Sequence, residues 1–505
     1  MADARPNVLY IMTDQQRFDT IAALGNADIH TPHLDRLVAR GIAFRNAYSS
    51  CPVCVPARYN IRTGCEMPRL GWWGNGRRSI VEGQPEEMEE RCGPFLARRM
   101  GRLGYRTFGI GKFHSVHADL GYEVFLRAEE TWGSPEGRRQ DAYARFIMDE
   151  HPEFAHIEQL HGERTEMYYM PQANPLPPAL NHEGWAAREA VRLVAEDDGR
   201  PFFGFVSFIG PHPPLAPPVP FNRMYDPDRM PKPVRGSVET DHMDEQIPWM
   251  NHLIWGDDVS DSRWQANRAR YYGEITYIDQ CIGRILDSVD ARPDADNTLI
   301  AFFTDHGEML GDHHAVQKEC YFEQACHIPF LLSWPARLPA GGTNDELVSL
   351  TDLFGIATAA AGTPEPRDGI DVLAMLAGTA PPRAFYVGYY EEPGTDLFKA
   401  MVRCREWKYI FCANGGREQL FDLQGDPNEL ENLADCRAEV TDELRTLLVS
   451  ALSVPNADRA LADGALKRFP YRERPRTRIH QFDRSRGVTA FPEHPADLLA
   501  DVTLW

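Results

Sequence analysis

Cys54 lies in the segment Cys51-Pro52-Val53-Cys54-Val55-Pro56-Ala57-Arg58, which sets a thiol, a proline and an arginine at the spacing Cys-x-Pro-x-Arg. An ionised thiol is both a nucleophile and a metal ligand. Taken alone, Cys51-x-x-Cys54 reads as a redox pair or as half of a tetrahedral zinc site. The chain has no second Cys-x-x-Cys pair, which weighs against zinc, and Cys51 then reads as a small packing residue. Other groups with chemical capacity follow short apolar runs: Asp14, Lys112, His212 and Asp305. Singly, each has an ordinary reading. Asp14 would cap a helix or start a turn, Gln15 would be a surface amide, and Asp305-His306-Gly307 would be a strand-to-loop turn.

The elements that must position these groups read as alternating strands and helices. Asn7–Thr13 (NVLYIMT) is a continuous apolar run, the pattern of a strand buried on both faces. Further strands are predicted at 107–110, 202–208, 299–304 and 328–333. Thr31-Pro32 offers a helix cap and first position, and Gly41 a stop. Helical patterns lie near 85–103, 183–196 and 264–289. Such alternation predicts an α/β fold: a parallel sheet with helices on both faces. In open sheets of this kind, sites form beyond the carboxyl ends of the strands, where Asp14, Lys112, His212 and Asp305 fall.

The stretch 210–261 is proline-rich and weakly periodic, the pattern of a long excursion over the sheet edge or the mouth of a site. From about 383 the pattern changes to short strands (384–390, 400–403, 408–413, 418–422) and one helix near 440–452. The expected organisation is a main domain at 1–382, a smaller antiparallel subdomain at 383–466 and an arm at 467–505. That arm would lie on the body or build a homo-oligomer.

With 505 residues and a formal charge of −21, the chain lacks the overall basic character that nucleic acid needs. A local basic pocket for an anionic substrate stays compatible with that total. The arginine-rich stretch 468–486 carries interspersed acids and prolines and reads as a docking arm. No apolar run reaches membrane-spanning length. Neither a secretory signal nor a disulfide framework is legible, so a cytoplasmic protein with reduced thiols is expected.

Cys54-x-Pro56-x-Arg58 resembles the motif that marks the sulfatase family, within the alkaline-phosphatase-like superfamily. Further segments match in the family's order: Asp14-Gln15 after the first strand, Gly104-Tyr-Arg-Thr-Phe-Gly-Ile-Gly-Lys112-Phe-His114, and Ser207-Phe-Ile-Gly-Pro-His212. Phe303-Thr-Asp305-His306-Gly-Glu-Met-Leu-Gly-Asp with Lys318, and Leu420-Phe-Asp-Leu with Asp426-Pro-Asn-Glu-Leu, complete the set. The resemblance runs from about 6 to 452 and implies the superfamily's fold: a large mixed, mostly parallel sheet sandwiched by helices, with a smaller C-terminal antiparallel subdomain.

It implies that Cys54 is oxidised to formylglycine by a formylglycine-generating enzyme. It also implies one divalent cation held by Asp14, Gln15, Cys54, Asp305 and His306. Mainly oxygen donors suit Ca²⁺, with Mn²⁺ or Mg²⁺ as rivals. By the same resemblance, one hydroxyl of the hydrated aldehyde attacks sulfur, and Arg58 holds the diol. His212 and Lys318 are the matching proton donors to the leaving alcohol. His114 takes the proton of the second hydroxyl, and Lys112 adds fixed positive charge. The expected reaction is hydrolysis of small-molecule or sugar sulfate esters. Gln15, where many sulfatases carry aspartate, is shared with choline-sulfatase-like and phosphonate-monoester-hydrolase-like branches. A phosphonate monoester or phosphodiester hydrolase is therefore the alternative, and a non-catalytic binding protein with plain Cys54 a further one. Lys112 with His114 argues for the sulfatase side. His117, His313 and His314 read as solvated loop histidines. Trp72, Trp73 and Asn75 read equally as pocket wall or as core.

Overall fold

The computed structural model describes residues 5–75, 85–115, 117–130, 135–157, 159–162, 169–236, 244–257 and 259–476. Its strands are β1 (Asn7–Thr13), β2 (Ile42–Tyr48), β3 (Arg106–Gly111), β4 (Val124–Arg127), β5 (Phe202–Ser207) and β6 (Thr298–Thr304). They are followed by β7 (Phe330–Ser333), β8 (Gly342–Ser349), β9 (Phe385–Tyr390), β10 (Lys399–Cys404), β11 (Trp407–Cys412) and β12 (Arg417–Asp422). The first eight form one sheet in the order β4-β3-β5-β1-β6-β7-β2-β8. β7 runs against both of its neighbours, and every other pairing in that sheet is parallel.

β1 is central and fully buried, so both of its faces must be apolar. Val8, Tyr10 and Met12 join one apolar cluster, while Leu9 and Ile11 join a second on the opposite face. Helices His182–Ala195 and Asp261–Asp290 cover the second face through Trp185, Ala190, Ile282 and Ile285. Helices Cys54–Thr63, Leu96–Arg102 and Asp352–Ala360 cover the first. The mixed sheet between helices is the predicted architecture.

Three strands of this sheet escape the periodicity reading. β4 and β8 are edges, one only four residues long and the other polar along its exposed half. β2 is interrupted by Arg45 and Asn46, which face outward. The helical pattern at 85–103 forms two helices, Pro85–Cys92 and Leu96–Arg102. Gly93 is at φ +83° between them, and Pro94 cannot continue the hydrogen-bond ladder. The proline-rich stretch contains a helix, Gln246–Leu253, that its weak periodicity conceals.

β9 to β12 form a separate antiparallel sheet in the order β12-β11-β10-β9. The Ala438–Leu452 helix packs on it through Leu444, Leu448 and Leu452, spaced one turn apart on one face. Its apolar residues are continuous with the cluster of the main sheet. The start of the expected arm lies on the body: Phe469 bridges to Asn414, the Tyr471 hydroxyl donates to Glu245 at 2.8 Å, and the Arg474 guanidinium lies 3.7 Å from the Trp249 ring centre. The remainder of the arm, 477–505, falls outside the described residues. Among the described residues, no helix is long and apolar enough to cross a membrane.

Gly111 closes β3 where the chain turns into the site. Its φ is +94°, and a Cβ there would stand 1.9 Å from the Ser207 carbonyl oxygen. That oxygen also accepts the Lys112 N–H at 3.0 Å. Gly111→Ala is therefore expected to cost more than about 3 kcal/mol, measured by denaturant unfolding, because strain and a backbone collision coincide.

Candidate active site

Strand register brings the first two acids together. Thr13 of β1 pairs with Thr304 of β6, so Asp14 and Asp305 leave the sheet side by side. Gly111 of β3 pairs with Ser207 of β5, and Met12 of β1 pairs with the same Ser207, which places Lys112 on the same carboxyl edge. The loop after β5 returns His212, and the Gly210 carbonyl accepts the Asp14 N–H at 3.2 Å.

Cys54 opens the Cys54–Thr63 helix. Val53 before it is extended and supplies no side-chain cap. Asn75 substitutes, its Oδ1 accepting the Val55 N–H at 3.1 Å. Pro56 sits in the first turn, where a missing N–H costs nothing. The sulfur thus lies at the positive end of a helix, 3.2 Å from His306 Nε2. It also takes a hydrogen bond from the His114 side chain. Burial pushes the thiol up, yet Lys318, His306 and Lys112 outweigh it and hold Cys54 well below the usual thiol range.

Asp14, Cys54, Asp305 and His306 are all buried, and one donor atom from each lies within 4.8 Å of the others. Asp14 Oδ1 is a fully buried acceptor with no hydrogen-bond partner, which an ion would satisfy. His306 Nδ1 lies 3.1 Å from the Gly307 carbonyl. A proton held there leaves the Nε2 lone pair facing Asp14, Asp305 and Cys54. The donor set therefore fits a divalent cation. Gln15 is at the same place: its N–H donates to Asp305 Oδ1 at 3.2 Å, and its Oε1 accepts from Lys318 Nζ at 2.5 Å.

Arg58 reaches back from the helix into the carboxylates. Its Nε donates to Asp305 Oδ2 at 2.8 Å and its Nη2 to Asp14 Oδ2 at 2.7 Å. The other terminal nitrogen donates to the Lys112 carbonyl and to Ser207 Oγ. Lys112 Nζ lies 2.7 Å from Asp14 and 2.5 Å from Glu130. Burial and the Cys54 sulfur work against the Asp14 carboxylate, but Lys112 and Arg58 prevail and hold its carboxyl at about 2. His212 is pushed below the ordinary imidazole value, by burial first, with Lys112 and Lys318 adding to it and Glu130 opposing. Its Nδ1 lies 2.7 Å from the Pro213 carbonyl.

All ten residues singled out in the sequence thus converge, from segments spread between positions 14 and 318. The sequence reading passed over Glu129 and Glu130, and it offered Asn75 as pocket wall or core, not as the cap of the Cys54 helix. Glu129 accepts the His114 N–H, and Glu130 stands between Lys112 and His212. A pair of acids just beyond a strand was the available signal, masked because β4 is so short. His117 and His313 correct the expectation of solvated histidines. His117 is buried against the Tyr59 hydroxyl, and His313 stacks on Phe322 with ring centres 3.9 Å apart. His314 is exposed as expected. Trp72 and Trp73 pack into the core, stacked on Tyr59 and edge-on to Tyr389.

Comparison with known proteins identifies the family and the fold. The sulfatase family model matches residues 6–363, and a model described as N-sulphoglucosamine sulphohydrolase, C-terminal, matches 311–453. The chain is 28% identical to an arylsulfatase of Clostridium perfringens, over 92% of this chain and 98% of that one. It is also 28% identical to a choline-sulfatase of Rhizobium meliloti, over 86% and 83%. Among solved structures, a phosphonate monoester hydrolase of Agrobacterium radiobacter superposes with a TM-score of 0.72 at 26% identity, covering 88% of this chain and 95% of that one. The sheet and its small antiparallel companion are those of the alkaline-phosphatase-like fold. The chain belongs to the sulfatase family, hydrolases of sulfuric ester bonds.

Proposed function

We propose that this protein hydrolyses sulfate monoesters to an alcohol and inorganic sulfate, with formylglycine derived from Cys54 as its nucleophile and one divalent cation beside it. The observation that carries this reading is the Cys54 sulfur at a helix N-terminus, 3.2 Å from His306, inside the buried set of Asp14, Asp305 and His306. Ca²⁺ is the favoured ion, ahead of Mn²⁺ and Mg²⁺, held by Asp14, Gln15, Asp305, His306 and the modified Cys54 side chain. Such an ion polarises a sulfuryl oxygen and favours the ionised nucleophile.

The protein's own groups supply the rest. Lys112 and Lys318 set positive charge around the position of a tetrahedral anion. Lys318 is the better proton donor to the leaving alcohol. A His212 ring held below its ordinary value, with Nδ1 at the Pro213 carbonyl, presents Nε2 as an acceptor. His114, hydrogen-bonded to Cys54, is the base that accepts a proton from the nucleophile's second hydroxyl. Arylsulfatase and N-acetylglucosamine-6-O-sulfatase relatives support small-molecule and sugar sulfates as the substrate class. The nine cysteines other than Cys54, none of them paired in a disulfide, support a cytoplasmic setting. The same proposal divides the chain at about 383 and 467, and assigns any homo-oligomer contact to the arm.

A second reading, hydrolysis of phosphonate monoesters, is favoured by the Agrobacterium radiobacter structure and by Gln15. Two measurements decide. Protein made together with the maturing enzyme should show the aldehyde or its hydrate on the Cys54 peptide by mass spectrometry. An unmodified thiol would leave a binding protein. The kcat/KM for an aryl sulfate should exceed that for an aryl phosphonate monoester by at least about tenfold, and a reversed ratio would hand the site to phosphonates.

A further inference from the structure

Gln15 carries no charge, and an amide can present either its oxygen or its nitrogen to the site. Its backbone is pinned. The N–H donates to Asp305 Oδ1, the carbonyl accepts from the Tyr271 hydroxyl at 2.6 Å, and φ is +67°. What sets the sense of the side chain is Glu308, a buried carboxylate three residues beyond Asp305. Glu308 Oε1 accepts the Leu310 N–H at 2.9 Å and the Gln317 N–H at 3.0 Å. Its Oε2 accepts the Tyr169 hydroxyl at 2.7 Å and the Gln15 side-chain N–H. All four partners are donors. A carboxylate held in that way offers Gln15 only an acceptor. The Gln15 nitrogen must face Glu308, and its oxygen must face Lys318 and the cluster.

We propose that Glu308 is a positioning residue that fixes the Gln15 oxygen toward the cation, and that its charge stands behind the neutral amide in place of a charge at position 15. The proposal rests on the reading of this cluster as a cation site. It makes the pair directional: Gln15 tolerates only an acceptor at 308, and Glu308 tolerates only a donor at 15.

The test is a swap. In Glu308→Gln, the new amide can satisfy the Leu310 and Gln317 N–H groups only by turning its nitrogen toward the Gln15 nitrogen. Gln15 then reverses. In Gln15→Glu, two buried carboxylates face each other. The double variant Glu308→Gln/Gln15→Glu restores one donor against one acceptor and keeps an oxygen toward the cluster. Calorimetric titration of each full-length protein with Ca²⁺ alone, after chelator treatment, should show affinity lowered about 10- to 100-fold in each single variant. The double variant should return to within a few-fold of the parent. Thermal unfolding of the chelated proteins reports folding separately.

A merely structural Glu308 would lower the unfolding temperature and leave the Ca²⁺ affinity of folded protein unchanged. That result overturns the proposal, as does a double variant that binds no better than the singles. Parent protein that binds none of Ca²⁺, Mn²⁺ and Mg²⁺ removes the cation site and this inference together. Parent protein that binds Ca²⁺ but prefers phosphonates changes the reaction and leaves the Glu308 result standing.

Discussion

Cys54→Ala should lose sulfate-ester hydrolysis by roughly 10⁴- to 10⁶-fold in kcat, the scale on which removal of a covalent nucleophile acts. The other buried groups at the site are engaged. Arg58 is bound to Asp14 and Asp305, Lys112 to Asp14 and Glu130, and Lys318 to Gln15. None of these can take over covalent attack. The loss should lie in kcat, because the cations that would hold a sulfate anion stay in place. Ca²⁺ affinity should change by no more than about tenfold, since Asp14, Asp305 and His306 remain. Cys54→Ser should behave differently. Serine has one hydroxyl, so after one attack it has no second hydroxyl with which to expel sulfate. A single burst of alcohol equal to the protein concentration, with sulfate retained on the Cys54→Ser peptide, is the expected signature. Multiple turnovers by either variant would sink the assignment of the nucleophile.

Arg58→Met should give the largest loss of stability. The guanidinium is 1% exposed and lies between two carboxylates at 0% exposure, at 2.7 and 2.8 Å. Removing it leaves two neighbouring buried anions, of which Lys112 reaches Asp14 at 2.7 Å. A loss of about 3–5 kcal/mol is expected in chelator, because breaking a buried pair strands its partner. Excess Ca²⁺ should recover more stability in the variant than in the parent, since the proposed cation site uses the same carboxylates. Denaturant midpoints in chelator and in Ca²⁺ measure both effects.

The pH dependence follows from Asp14, whose folded carboxyl is held at about 2. A depressed acid contributes stability above its unfolded value near ~3.9 and loses it as pH falls toward the folded value. Taking away Arg58 raises the folded value toward the unfolded one, so the acid-side loss of stability should be smaller in the variant and should end at higher pH. A parent and variant with superimposable acid limbs, or a loss below about 1 kcal/mol in chelator, would contradict this account of Arg58.

Much of the site is readable before folding. A strand buried on both faces must be an unbroken apolar run, so the first polar residue after it marks the carboxyl edge of the sheet. Asp14 after β1, Lys112 after β3 and Asp305 after β6 carry that signal. Cys54, Pro56 and Arg58 carry another, because their spacing is local to one helical turn. What stayed hidden lacks either period or locality. β4 and β8 are edges that need not be apolar, and β2 has polar residues facing outward at its middle. Asn75 caps the helix of Cys54 from twenty positions away, and Glu130 reaches both Lys112 and His212.

The amino-acid order alone determined the type of sheet and its central strands, because burial writes those into neighbouring residues, and the resemblance of its motifs to the sulfatase family singled out Cys54 as nucleophile candidate and Asp14, Gln15, Asp305 and His306 as ligand candidates. The tertiary structure alone decided what each charge is spent on. Arg58 is held by the carboxylates of Asp14 and Asp305, Lys318 by the Gln15 oxygen, and that oxygen is aimed by Glu308. Those choices depend on partners up to 303 residues apart along the chain, and in a buried site the nearest opposite charge or free donor outweighs any local preference.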